Sequence, residues 1–489
     1  MTDHTPPTPH AAAAPDNPTS TEANVYDMTV SPGRARLLNV LALIGLAVSA
    51  VAGFLTEPPT LWGLLPIVLY AALALLGMEI NVATVVALLS GVLILQPTPV
   101  AFGKLMGDGM ADSITMIGLI IMLGAGVGEV LLATGVATTI VHAVMRVMGD
   151  KNPIAVIYGL MLAPLILVAG LGTLAGALAI SAPILLPIAA RLGYTRSATA
   201  AMLFLGGCAG LALAPFAGSN VAIMDAAGAG YLDYLIHGAG PLAILSLALG
   251  PFVVKFIQKR TEGIPEEQYE ASLREVDEVE APKHARRATV VFVVVLLASV
   301  IYATIASAGT SFPLVALPAI GIAVGLAGRL SVPEIAKLIY RGAAKLVSIF
   351  VLFWLLAGLF IIIEKLAPFE IILKTYETSL SATSPFVFAI IVALIGWVGI
   401  PGATAAQVVL LHKVFGPLSE AIGVPMPTWI VVLLFASKTD TYGPFPNGNM
   451  IGAMGLAQSK NLRNMLITGW MVLIPATLMY LILAFFQTR

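Results

Sequence analysis

The chain has 489 residues, 58% hydrophobic and only 10% charged, with a mean hydropathy of +0.96. Soluble domains carry about 25% charged residues, so this composition excludes a soluble globular protein and describes a polytopic membrane protein. Net charge is −1 with the charges segregated, which says nothing of partners; a single cysteine, Cys208, excludes an internal disulfide framework, and no Cys and His cluster has metal-ligand spacing.

Residues 1–36 are rich in Pro, Thr and Ala and read as a disordered cytoplasmic tail rather than a signal peptide. Apolar runs near the length needed to cross a bilayer, about 20 residues, follow in order. Scaffold spans are expected at 37–55, 60–77 and 80–96, within a first segment 37–113. Next come a span at 114–132, a paired stretch at 153–169 and 174–190, a span at 198–235 broken at 215–220, and one at 239–257; these form segment 114–257. Residues 258–288 are dense in Glu, Arg and Lys and read as a solvated cytoplasmic linker with one short helix at most. Connecting spans at 289–307 and 312–328 lie in segment 289–345. Segment 346–489 then repeats the earlier order: a span at 346–364, a pair at 385–399 and 404–419, a broken span at 428–460, and a last span at 465–487.

With the N-terminus in the cytoplasm, Arg34, Arg36, Arg146, Lys151, Arg191, Arg196, the linker cluster, Arg329, Lys337, Arg341, Lys345, Lys460 and Arg463 fall inside. Lys104, Lys365, Lys374, Lys413 and Arg489 fall outside. That is the positive-inside asymmetry, expected here for a multi-pass protein of the plasma or inner membrane.

Two blocks in the broken spans spell nearly the same thing: Pro215-Phe216-Ala217-Gly218-Ser219-Asn220 and Pro444-Phe445-Pro446-Asn447-Gly448-Asn449. Asn220 and Asn449, Pro215 and Pro444, and Gly240 and Gly469 are each 229 apart; Gly172 and Gly402, Pro187 and Pro417, and Gly193 and Gly423 are each 230 apart. The first unit begins outside and the second inside, so the halves read as inverted repeats, the arrangement that supports alternating access. A break of Pro, Gly and Asn strips backbone groups of helical partners. Lipid tolerates that only where the freed groups line a cavity or hold a ligand, so two such breaks in matching places point to the binding site of a secondary transporter.

Charge inside the membrane costs about 2.5–3.5 kcal/mol per residue on insertion scales. Lys438-Thr439-Asp440-Thr441 nevertheless stands just before the second break and aligns with the uncharged 208–212 of the first half. Lys438 suits a substrate carboxylate or the place of a coupling cation, and Asp440 suits a titrating proton carrier; the alternative is a mutual pair that neutralises a buried helix. Ser219, Asn220, Asn447 and Asn449 offer amide and hydroxyl groups beside helix ends, whose N-termini suit carboxylates and whose carbonyls suit Na⁺. Gly172, Thr173, Gly402 and Thr404 fall at the tips of the paired stretches. Asp225 is either within reach of Asn220 or a partner of the new helix N-terminus, and Glu129 is either a second protonation site or an interfacial residue. No Walker pattern is present, and no cofactor is expected apart from Na⁺ as a possible coupling ion.

These residues resemble the ion transporter superfamily, which includes divalent-anion/sodium symporters, citrate and gluconate permeases and arsenite-type transporters. Gly170-Leu171-Gly172-Thr173 with Ala182-Pro183-Ile184-Leu185-Leu186-Pro187-Ile188-Ala189 is similar to its first hairpin tip and following helix. Gly206-Gly207 through Gly218-Ser219-Asn220 resembles its first unwound segment. Gly399-Ile400-Pro401-Gly402-Ala403-Thr404 resembles the second tip, and Tyr442 through Asn449 the second unwound segment. The resemblance covers about 114–257 and 346–487 and implies an all-α inverted-repeat transporter with about 11 transmembrane helices, two re-entrant hairpins and two broken helices, as a homodimer. The Ser-Asn-Thr tips of the sodium-coupled symporters are replaced here by Gly172-Thr173 and Ala403-Thr404, so H⁺ and Na⁺ both stay open as coupling ions.

The expected function is secondary active transport of a small organic anion, a carboxylate such as citrate, gluconate or a dicarboxylate, by elevator-like motion. The alternative is a cation/proton antiporter of the same fold. No nucleophile–base pattern suggests an enzyme, and no nucleic-acid partner is expected.

Overall fold

A computed structural model describes residues 32–149, 152–274, 281–306, 308–309, 311–381, 383–396 and 404–489. Most of the 1–36 tail, and Gly402 with the rest of the second hairpin tip, lie outside the described residues. Among those described there are helices and no strands, and eight helices are long and apolar enough to cross a membrane.

The first segment holds α1 (Pro32–Leu55), α2 (Leu65–Leu75), α3 (Ile80–Leu95) and α4 (Pro99–Met110). Next come α5 (Ser113–Ala133), α6 (Val136–Met148), the pair α7 (Pro153–Leu171) and α8 (Leu174–Arg191), then α9 (Arg196–Leu213), α10 (Gly218–Ala227), α11 (Tyr231–Tyr234) and α12 (Gly240–Thr261). The linker carries α13 (Ala271–Arg274), followed by α14 (Ala285–Ile305), α15 (Pro313–Ala327) and α16 (Val332–Ala344). The last segment holds α17 (Val347–Leu366), α18 (Pro368–Ser381), the pair α19 (Pro385–Ile395) and α20 (Thr404–Ile422), then α21 (Met426–Tyr442), α22 (Gly448–Leu456) and α23 (Leu462–Gln487).

The starts of these helices are written locally. Thr98, Asp112, Asn152 and Thr195 accept from backbone N–H groups of the first turn, with Pro99 and Pro153 opening α4 and α7. Such caps satisfy donors that a helix end otherwise leaves orphaned. Ser331 and Glu334 form a reciprocal capping box at α16.

The hydropathy reading finds the long helices and misses α4, α6, α16 and α18. These are short and amphipathic, so their polar faces interrupt any apolar run. They have structural work. Helix α16 lies across α5, where a β-carbon on Gly342 would collide with the Ala125 carbonyl and one on Gly126 with Ile339. Helix α4 crosses α17 in the same manner, with Gly109 against the backbone of Gly358 and Trp354 Nε1 donating to the Met106 carbonyl at 2.9 Å. Small residues permit such close crossings.

At the centre, α9 packs between α7 and α12. Its Gly206 and Gly210 lie against the α7 carbonyls of Met161 and Leu165. Almost every residue of α9 is buried, as is 430–439 of α21; helices buried all round belong to the interior. By contrast, α14 turns Val290, Val294, Leu297 and Ile301 outward, and α1 exposes Leu43, Ile44, Val51 and Phe54. Surfaces this apolar match hydrocarbon rather than water.

The linker differs from expectation. Helix α12 continues to Thr261, and Glu267 is buried, accepting from the Ser197 N–H at 3.0 Å, the Ser197 hydroxyl at 2.8 Å and Asn461 Nδ2 at 3.3 Å. Tyr269 donates to the Ala457 carbonyl at 3.0 Å, and burial pushes its phenol up to about 12. Composition reads this segment as solvated, because the hydrogen bonds that compensate its burial come from distant residues.

Candidate functional site

Both central helices stop at the Pro-Phe blocks. Helix α9 ends at Leu213, Ala214 is extended, and α10 begins at Gly218; α21 ends at Tyr442, Gly443 adopts φ +65°, and α22 begins at Gly448. Unwinding in the first half therefore starts after Gly206-Gly207, which are regular helix. Those glycines serve the contact of α9 with α7 and its neighbours instead.

A broken helix leaves its last carbonyls without partners. In the first break four of them are satisfied by side chains. Asn220 Nδ2 donates to the carbonyls of Leu211 (2.7 Å), Ala212 (3.2 Å) and Ala214 (2.8 Å). Tyr231 OH donates to Leu213 at 2.6 Å, and Tyr234 OH donates to Ala212 at 2.8 Å. Three carbonyls around Nδ2 fix the amide's orientation, so Oδ1 faces the other way. There it accepts from Lys438 Nζ at 3.0 Å and from the Ser219 hydroxyl at 3.3 Å. Asn220 is 0% exposed and Lys438 2% exposed. The first break is thus joined to the helix that leads into the second.

The second break is closed by shorter-range contacts. Gly443 N–H donates to the Thr439 carbonyl at 2.7 Å, and Asn447 Nδ2 donates to the Thr441 carbonyl at 3.2 Å. Asn447 Oδ1 accepts from Met450 N–H at 2.9 Å and caps α22. The hydroxyls of Thr439 and Thr441 bond back to the carbonyls of Phe435 and Ser437 within α21. Tyr442 OH and Ser246 Oγ lie 2.7 Å apart, linking α21 to α12.

The first hairpin tip reaches the first break. Gly172 has φ +70°, which favours glycine, and a β-carbon there would touch the backbone of Phe216 and Ala217. Thr173 follows as the N-cap of α8. From the far side α5 closes the break, with Ile121 against Gly218. The structure therefore sets Gly172 against the first break and joins Ser219, Asn220 and Lys438 by hydrogen bonds, with Thr173 and Thr439 next to them in the chain. Asn447 and the half-buried Asn449 sit at the start of α22, Thr404 opens α20, and Asp440 lies on α21.

Two further acidic residues lie on α10 and α5. Asp225 occupies the last turn of α10, not the first, so it cannot serve the new helix N-terminus; the backbone dipole there favours cations instead. Glu129 of α5 is 8% exposed and accepts from Arg341 Nε at 3.1 Å and from Lys345 Nζ at 2.6 Å.

Three contributors escaped the sequence reading. Tyr231 and Tyr234 lack any motif, and only their distance from the orphaned carbonyls of 212–213 hints at them. Tyr442 ends α21 two residues before the second block, where a phenol reads as packing.

Comparison with known proteins follows this geometry. The profile of the C4-dicarboxylate anaerobic carrier family, DcuC, matches residues 90–458. The crystal structure of the YdaH transporter of Alcanivorax borkumensis, described as having an unusual topology, is similar with a TM-score of 0.54 at 16% sequence identity. That likeness covers 93% of this chain and 99% of the other, and it concerns the fold alone. No curated protein matches the sequence. The family match spans both helix breaks and most of the chain, and this protein belongs to the DcuC family of C4-dicarboxylate anaerobic carriers.

Proposed function

We propose that this protein is a secondary active carrier of C4-dicarboxylates, coupled to H⁺ or Na⁺, in which a unit built on the two broken helices moves against the remaining helices. One observation carries the reading: two largely buried helices break at matching blocks, and Lys438 near the end of α21 donates to Asn220 of α10, just beyond the first break, at 3.0 Å. A dianion needs a buried cation and helix-end donors at one place. We assign substrate contact to Gly172, Thr173, Ser219, Asn220, Gly402, Thr404, Lys438, Thr439, Thr441, Asn447 and Asn449, and proton coupling to Asp440.

The inverted-repeat reading is supported by the reciprocal crossings: α4 of the first half meets α17 of the second, and α16 of the second meets α5 of the first. The grouping of segments onto two sides is supported by contacts between groups assigned to the same side, and the choice of a cytoplasmic N-terminus rests on the bias of basic residues. Arg34 Nε donates to the Leu76 carbonyl, Glu129 pairs with Arg341 and Lys345, and Glu364 pairs with Lys413.

The test is uptake by full-length protein in proteoliposomes. Radiolabelled succinate, fumarate, citrate and gluconate are compared under separate proton and sodium gradients. The four-carbon dianions are expected to accumulate and the others not; no accumulation of any dicarboxylate under either gradient refutes the carrier.

A further inference from the structure

We infer that His412 is a proton-operated latch between α20 and α21: uncharged, its ring holds the two helices together; charged, it lets go and loosens the substrate site. The latch is a property of the fold, and its bearing on substrate rests on the carrier function proposed above.

The two helices pack along each other and carry groups assigned to substrate, Thr404 at the start of α20 and Lys438 near the end of α21. His412 stands two turns beyond Thr404, about 12 Å along the helix. Trp429 of α21, only 4% exposed, donates from Nε1 to His412 Nδ1 at 3.3 Å. Gly416, one turn further along α20, makes room for the ring, because a β-carbon there would come within 2.8 Å of Nδ1. An indole nitrogen can only donate, so Nδ1 offers a lone pair and the imidazole is uncharged, with its hydrogen on Nε2.

Protonation reverses that relation. Both nitrogens of an imidazolium are donors, so Nδ1–H would face the indole N–H and the bond to α21 is lost. The charged ring also answers to its ionic neighbours. The carboxylates of Asp225 on α10 and Glu420 on α20 attract it, and the ammonium of Lys413 repels it while pairing with Glu364 at 2.8 Å. Helix α18, which also packs on α20, adds Glu370 and Lys374 among its described residues. Histidine changes charge between about pH 5 and 8. The latch is therefore whole above the titration of His412 and is lost as the pH falls through it. One neutral hydrogen bond corresponds to a change of about two- to tenfold in an equilibrium, and a site assembled in a smaller fraction of molecules binds proportionally more weakly.

Two measurements on the full-length protein test the latch. The emission of Trp429, taken as wild type minus Trp429→Phe, is expected to titrate between about pH 5 and 8, because an imidazolium in contact quenches indole. The titration is expected to vanish in His412→Gln, whose amide still accepts from the indole and takes up no proton. In proteoliposomes with equal pH on both sides, the KM for succinate exchange is compared at neutral and acid pH. It is expected to rise on acidification about two- to tenfold more in wild type than in H412Q; the comparison cancels protonation of succinate itself. W429F, which lacks the bond at every pH, is expected to lose the same extra rise. A Trp429 signal that does not titrate, or that titrates equally in H412Q, overturns the inference, as does an H412Q variant that keeps the wild-type rise in KM. Should H412Q fail to reach the membrane, W429F decides: a lost extra rise supports the latch and a wild-type profile overturns it. Absence of exchange of any dicarboxylate at any pH refutes the carrier function, and the fluorescence titration then still decides whether the latch exists.

Discussion

Asn220 shows how much one side chain can organise when a helix is interrupted in a membrane. Its amide nitrogen meets three carbonyls of the α9 end, and its oxygen meets Lys438 and Ser219. Truncation leaves the Leu211 and Ala214 carbonyls without a side-chain donor and Lys438 without this acceptor; Ala212 retains Tyr234. Each buried polar group so orphaned costs about 1–3 kcal/mol. Asn220→Ala is therefore expected to destabilise the fold by about 2–4 kcal/mol, measurable by equilibrium unfolding in mixed micelles. A loss below about 1 kcal/mol, the net value of one ordinary hydrogen bond, would mean that water reaches the break. The prominence of Asn220 was legible in the sequence, because an asparagine five positions after a proline in an apolar run has few other reasons to be there. Its choice of carbonyls over a ligand for Nδ2 was not legible, because that depends on how the chain turns at Ala214.

Among helices, the deciding feature is distance of approach. Gly206 and Gly210 put one face of α9 directly on the α7 backbone at Met161 and Leu165, whereas Gly452 of α22 has open space around it. Gly210→Ala forces a carbonyl to move and is expected to cost about 1–3 kcal/mol as an overpacked contact. Gly452→Ala is expected to be neutral or to stabilise by up to about 1 kcal/mol through helix propensity. Thermal unfolding of the two variants side by side checks the pair; equal effects would show that α7 and α9 can slide apart at no cost. The amphipathic helices α4 and α16 belong to this scale too. Their crossings of α17 and α5 tie early helices to late ones, which no window of local hydropathy registers.

Across the whole molecule, ion pairs join the faces of separate segments. Glu129 is buried on α5, while its partners Arg341 and Lys345 keep 64% and 49% of their side chains exposed. Solvent screens such a pair, so Glu129→Gln is expected to cost only about 1 kcal/mol and to leave the pH profile of uptake unchanged. Asp440→Asn is expected to alter that profile, since we place the coupling proton there. Uptake measured from acid to neutral pH separates the two; a shifted profile in E129Q would return Glu129 to the proton path, and an unaltered profile in D440N would remove Asp440 from it.

By itself the sequence determined the solvent and the skeleton: a chain for hydrocarbon, with the long helices nearly in place and both breaks located at their Pro-Phe blocks. These are local properties, set by side-chain transfer energies and by prolines that remove a backbone donor. Tertiary structure alone decided what meets at the breaks. Lys438 and Asn220 lie 218 residues apart, the phenols of Tyr231 and Tyr234 turn back onto α9, and Glu267 leaves an apparently solvated linker to hold Ser197. Such partnerships form because buried polar groups must find donors or acceptors, and only the packed chain determines which ones lie within reach.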